Sequence, residues 1–361
     1  MLYENRLYTF LRKKRKQDTP KVSIYMPTHR TSPQNKQDPI VFKNLVKQAE
    51  KELASKYSEE LWKPIIEKLN EIQSDTVNFW QHTKEGLVIF VSAEELELFY
   101  LRQEQEEIVI VGTDYHVIPL IGSYQAAVPA YLVSLSRDSI DLYTIDQYSY
   151  ERYETDSIKT SFYELYDDMD YRGENRVSNP SAGSPNMYHG LHTKSDMIEK
   201  DRDIYFRYLD KAFNLLVKET SSKILLAGTS ENIAAFRKIA KGSFYLNYSI
   251  NQPIQSLNDK AIKKELTKAL TPTFDKEQEK VISRLNIAIR ENKTTSIINE
   301  IEKMVDTGQV AELVINQLLI SKGDQILDRA LTKTIQMGSH VSVIGVSEEI
   351  ISAPYTAILR K

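Results

Sequence analysis

Residues 223–240 read KILLAGTSENIAAFRKIA, and the class of fold turns on them. Ile224, Leu225, Leu226 and Ala227 make an apolar run too short for a surface helix, and Gly228 closes it, so the first half predicts a buried strand. The second half opens with small hydroxyl residues that suit a helix cap and continues from Ser230 with helical spacing. A strand followed directly by a helix is the unit from which α/β folds are built.

The pattern extends in both directions. Upstream, Ile198, Ile204, Tyr205, Tyr208, Leu209, Ala212 and Leu216 form one stripe, which predicts a helix of about five or six turns from Asp196. Before it, residues 170–190 collect Gly, Pro, Ser and Asn without periodicity and predict a long exposed loop. Still earlier, AYLVSLS and IDLYTI alternate around Arg137, Asp138 and Ser139 as a hairpin does. The N-terminal part begins with a helix on Leu7, Phe10 and Leu11, then a strand KVSIYMP stopped by Pro27. Asp38 and Pro39 read as N-cap and first-turn proline of a helix on Val41, Leu45, Ala49 and Leu53. A further helix on Leu61, Trp62, Ile65, Ile66, Leu69 and Ile72 accepts Pro64 if that residue lies in the first turn. Four short strands follow, GLVIFVS, LFYL, IVIV and HVIPLI. Downstream of 253, one helix on SLNDKAIKKELTKAL, a charged one around 275–291 and a third to Met304 are expected, the last closed by Gly308. Then VAELVIN, a helix over 324–336, HVSVIGV and YTAILRK alternate as a small α/β sandwich.

At 361 residues the chain suits two or three domains of about 100–150 residues each. Its 41% hydrophobic and 27% charged content is that of a globular protein, and no apolar run approaches the roughly 20 residues of a membrane span, so no membrane partner is expected. The start, MLYENRLYTFLRKKRK, places basic residues after apolar ones, the reverse of a secretory signal, which points to the cytoplasm. Zero cysteines exclude disulfides, thiolate metal sites and cysteine nucleophiles. The formal charge of −3 supplies no global basic field, so nucleic acid has to be met by local patches.

Arg12, Lys13, Lys14, Arg15 and Lys16 are one such patch, either a phosphate-contacting surface or the solvated face of a short helix. His29 and Arg30 follow a strand, where polar groups either bind anions or cap their own loop. His189 and His192, with Asp168, Asp170 or Asp196 nearby, are the best metal-ligating set, but the spacing is generic and neither metal nor cofactor is expected. The run YELYDDMDYRGE (163–174) lacks the pattern of a calcium loop and reads as a solvated acidic edge. Phosphate-loop, dinucleotide and Gly-x-Ser-x-Gly motifs are missing from the sequence, which carries only 12 glycines.

Five stretches in order resemble the archaeo-eukaryotic peptide-release-factor and Pelota family in its bacterial branch: KVSIYMPTHR, EGLVIFVS, KILLAG, DTGQVAELVIN and YTAILRK. The resemblance implies a three-domain α/β protein: an N-terminal α/β domain over 1–127 for decoding-site contact, a ribonuclease H-like middle domain over 128–253, and a small α/β sandwich over 254–361 that binds ribosome or protein partners. Releasing members carry His-Gly-Arg-Gly-Gly-Gln-Ser before the long middle-domain helix. Here that place reads His189, Gly190, Leu191, His192, Thr193, Lys194 and Ser195, so the Gly-Gly-Gln is replaced. No Asn-Ile-Lys-Ser stop-codon loop stands near DPIVFKN either. The expectation is a ribosome-associated factor of stalling, rescue or dormancy that does not hydrolyse peptidyl-tRNA, with rRNA or tRNA touched by the tip and by the 12–16 cluster. The alternative is a stand-alone metal-dependent hydrolase or nuclease using His189 and His192.

Overall fold

The computed structural model describes residues 2–16, 18–29, 34–74, 79–80, 83–127, 129–168 and 194–360. Along the chain come α1 (Leu2–Arg12), β1 (Lys21–Pro27), α2 (Asp38–Lys56), α3 (Glu59–Ser74), β2 (Gly86–Ser92), β3 (Leu96–Leu101), β4 (Ile108–Gly112) and α4 (Ile118–Ala126). Next are β5 (Ala130–Leu135), β6 (Ile140–Ile145), β7 (Tyr150–Arg152), α5 (Phe162–Asp168), α6 (Lys194–Thr220), β8 (Lys223–Gly228), α7 (Ser230–Ile239) and β9 (Tyr245–Ile250). The chain closes with α8 (Asp259–Arg290), β10 (Thr294–Thr295), α9 (Ile298–Asp306), β11 (Val310–Asn316), α10 (Gln325–Gln336), β12 (His340–Ile344) and β13 (Tyr355–Leu359). By contact it divides into two units, Met1–Ala127 with Phe274–Lys361, and Val128–Thr273.

The first unit holds two sheets. In one, the order is β3-β2-β1-β4 with every neighbour antiparallel. Side chains alternate across β1 as a pleated strand requires. Val22, Ile24 and Met26 pack with Phe42, Leu45, Ala49 and Leu53 of α2 and Ile65 and Leu69 of α3. Tyr25 faces the other way, into a cluster with Phe10 of α1 and Phe90 of β2. The second sheet runs β10-β13-β11-β12, with β11 and β12 parallel and the other pairs antiparallel. Leu313 and Ile315 of β11, with Leu327, Leu331 and Ile335 of α10, belong to the same continuous cluster as Phe10, Tyr25 and Phe90. Val314 and Ile344 point to the opposite side, onto Leu285 of α8. One apolar core therefore joins segments more than 200 residues apart in sequence.

The second unit is a five-stranded mixed sheet ordered β7-β6-β5-β8-β9, antiparallel on the β7–β5 side and parallel from β5 to β9. One face carries α6 and α7 through Tyr205, Phe206, Leu209, Phe213 and Phe236. The other carries the first half of α8 through Ile262, Leu266, Ala269 and Leu270. Fully burying each such side chain contributes about 1.5–3 kcal/mol. Thr229 caps α7, accepting a hydrogen bond from the Asn232 amide.

Several expectations are corrected. HVIPLI, expected as a strand, is mostly helix: Pro119 stands in the first turn of α4, where its missing amide costs nothing, and Ile118, Leu120 and Ile121 bury one side. The helices expected around 257–270 and 275–291 are one helix, α8, with Pro272 inside it. Pro64 lies inside α3, beyond its first turn. Asp38 is not an N-cap: Gln37 occupies that position without a side-chain cap, and the Asp38 carboxylate turns elsewhere. The helix expected from Asp196 starts at Lys194 and runs to Thr220, longer than the periodicity suggested. The Gly308 closure holds, since the glycine has φ +70° and its amide bonds the Val305 carbonyl just past α9.

Candidate functional site

The basic cluster begins at the C-terminal end of α1. Burying Leu7, Phe10 and Leu11 fixes the helix against β2 and β3, so the residues that follow meet the edge strand β3 and the turn before it. That edge is acidic. Arg15 pairs with Glu95, stacks its guanidinium 4.0 Å from the Phe10 ring centre and donates to the Phe10 carbonyl at 2.7 Å. Such a planar, many-donor contact leaves Arg15 little freedom. Lys16 meets Glu94 at 2.5 Å, which raises the lysine pKa and lowers that of the carboxyl. Lys13 stands 3.7 Å from Glu97 and 3.9 Å from Glu95, and Arg6 holds Glu97 at 2.8 Å. Arg12 and Lys14 are exposed.

His29 ends the strand segment. Its backbone amide donates to Asp38 Oδ2 and its Nδ1 lies 2.8 Å from Oδ1, while Asp38 is 1% exposed. The aspartate thus closes the β1–α2 connection by accepting two contacts from one residue, a loop-closing role that fits its burial. Arg30 lies outside the described residues, as do His189, Gly190, Leu191, His192 and Thr193. Lys194 and Ser195 open α6. Asp168 ends α5, and Asp170 lies outside the described residues. Among the described residues no group of three His, Asp or Glu side chains stands close enough to hold a metal ion, and no helix is long and apolar enough to cross a membrane.

Sequence reasoning missed a polar seam within the first unit. His116, just before α4, places Nδ1 2.9 Å from Asp328 Oδ2 of α10, and both side chains are buried. Burial pushes the Asp328 carboxyl up to about 6, against the pull of the His116 hydrogen bond. The His116 amide donates to Ser23 Oγ, and its carbonyl accepts from the Tyr25 hydroxyl. Arg329 reaches Asp114 Oδ2 and Thr113 Oγ1, each at 3.2 Å. Gln125 of α4 bonds the backbone of β12 twice, donating to the Val341 carbonyl and accepting from the Val343 amide. Partners this far apart in sequence leave no spacing signal.

In comparisons with known proteins, the sequence profile described as "Bacterial archaeo-eukaryotic release factor family 6" matches residues 128–272. No curated protein matches the chain. Among solved structures, the archaeal translation termination factor aRF1 is 16% identical, covering 99% of this chain and 97% of that one at a TM-score of 0.23. The Pelota protein of Thermoplasma acidophilum is 14% identical over 77% of this chain and 81% of its own, at 0.24. Archaeal Pelota bound to the ribosome with ABCE1 is 12% identical over 99% and 94%, at 0.40. Scores this low carry no argument about how the parts of this chain are arranged. The profile match covers nearly the whole second unit, so the likeness to the bacterial archaeo-eukaryotic release factor family lies in residues 128–272.

Proposed function

We propose that the protein is a ribosome-associated translation factor that does not hydrolyse peptidyl-tRNA. The carrying observation is the release-factor profile over 128–272 on a chain whose tip reads His189, Gly190, Leu191, His192, Thr193, Lys194, Ser195. In the release-factor pattern this place holds Gly-Gly-Gln, whose glycines allow close backbone approach and whose glutamine offers a neutral amide. His192 and Thr193 bring Cβ atoms, and Lys194 brings a charge. A lysine and histidines at such a tip suit contact with RNA phosphates better than positioning of a hydrolytic water. Arg12, Lys14 and Arg30 supply further cationic contacts, whereas Arg15 and Lys16 already have carboxylate partners. The role that fits is occupancy of stalled, rescued or dormant ribosomes, with the C-terminal sheet and its helices as the surface for a protein partner.

Co-sedimentation of the full chain with ribosomes from growing and stationary cells tests this reading. Binding is expected to weaken steeply as salt rises, with no release of peptide from peptidyl-tRNA in a reconstituted assay. Failure to associate at any salt concentration, in either growth state, would end the proposal.

A further inference from the structure

Within the first unit a cleft of about 810 Å³ opens between the α1–β1 connection, the residues after β4, and α9 with α10. That volume lies in the range of small-molecule sites, about 300–1,000 Å³. Most of its charges are matched. Arg15 and Lys16 have Glu95 and Glu94, Arg329 has Asp114, and Lys333 reaches Asp306 at 2.9 Å. Among the described residues Lys14, Lys21 and Lys303 form no ion pair, nor do Asp18 and Glu302; all five line the cleft, which leaves the cations in excess.

Lys21 is the decisive one. It is 5% exposed, and its ammonium donates to the Lys16 carbonyl at 3.1 Å and the Thr113 carbonyl at 2.5 Å. An ammonium has three donors, and among the described residues only these two carbonyls accept from it, which leaves one N–H over. Its hydrogen bonds go to neutral carbonyls, the charges of Asp114, Glu95 and Asp18 only partly offset its burial, and a ligand anion beside it would add to them. Burial lowers the Lys21 pKa while the charge of Asp114 opposes the shift, and a ligand's negative charge would act in the same sense as Asp114.

We infer that this cleft binds a phosphate group carried by a ligand of nucleotide size, with Lys21 beneath the phosphate and Lys14 and Lys303 beside it. A free nucleotide and the 5′ end of an RNA strand present the same chemistry. Lys14 is shared with the cationic contacts proposed above, but the tip is not, and binding of a free nucleotide is read without ribosomes, so the two readings fail separately.

Isothermal titration of the full chain at low ionic strength, with adenosine 5′-monophosphate, adenosine and a short 5′-phosphorylated oligoribonucleotide, tests it. The phosphorylated probes bind and adenosine does not; the tighter of the two names the source. The double variant Lys14→Ala/Lys303→Ala weakens binding by about tenfold or more, the size expected for losing charge-assisted contacts. Lys21→Met abolishes it, and if that variant fails to fold the double variant decides. The inference is overturned if neither phosphorylated probe binds, if adenosine binds as well as its monophosphate, or if the double variant binds like the native protein.

Discussion

In the unit Val128–Thr273, the two helices on one face of the sheet meet through rings: Phe206 and Phe213 of α6 lie against Phe236 of α7 with ring centres 5.4 and 6.3 Å apart. In the other unit, the contact between the N-terminal and C-terminal segments is apolar too, yet it is crossed by the buried His116–Asp328 pair and by Arg329 on Asp114. Ring packing is insensitive to pH and needs only shape. A buried carboxylate needs its partner, and its contribution changes with protonation. The two units should therefore respond differently to the same kinds of damage.

The largest effect is expected in the aromatic core. Phe213 is fully buried, and Phe213→Ala should remove about 3–5 kcal/mol. Hydrogen exchange followed by mass spectrometry should show the loss in β5 and β8, with β1 and β11 keeping their protection. Equal losses in all four strands would mean that the units do not differ as described. Asp328→Ala is the counterpart in the other unit. It leaves His116 Nδ1 buried without its carboxylate and should cost about 3 kcal/mol, read as lost protection in β1 and β11. Native-like protection in that variant would show the pair to be dispensable.

Titration separates the units further. The folded Asp328 pKa of about 6 lies above the ordinary 3.8, so the folded state holds this proton more tightly than the unfolded one. Its contribution is complete below about pH 3.8 and is lost as pH rises through 6. The stability difference between native protein and Asp328→Asn, measured by urea unfolding from pH 4 to 7, should therefore fall by roughly 1–3 kcal/mol and level off above 6. A difference that rises with pH would contradict the burial-driven shift. Phe213→Ala should show no comparable pH dependence.

Local elements were legible because their signals are local. KILLAG, the hairpin at Arg137–Ser139 and the Gly308 closure each depend on residues within one turn or strand. HVIPLI misled because a continuous apolar run suits a buried strand and a buried helix equally; Pro119 in first-turn position was the available signal. Pro272 misled in the opposite sense, suggesting a break where α8 continues. The seam was invisible for another reason. His116 and Asp328 are 212 residues apart, and neither has a sequence neighbour that marks it as paired. Lys21 looked like the first residue of a strand, and only the fold shows its ammonium enclosed by two carbonyls. The tip, the most informative stretch of sequence, lies almost wholly outside the described residues.

The smallest contrast concerns helix caps, and it tests whether the seam amplifies local damage. Thr229 caps α7 with one long contact, 3.3 Å from the Asn232 amide. Asp324 caps α10 by accepting from both Ile326 and Leu327 at 3.1 Å, and its charge sits favourably at a helix N-terminus. An ordinary cap is worth about 1 kcal/mol, so Thr229→Ala should cost that or slightly less. Asp324→Ala should cost nearer 2 kcal/mol, because two amides lose their acceptor. The first turn of α10 also presents Gln325 to the Asp114 amide and Asp328 to His116, so fraying there loosens the seam as well. Urea unfolding of the two variants at pH 7 compares them directly. If Thr229→Ala proves as costly as Asp324→Ala, the α10 start has no special share in holding the first unit together.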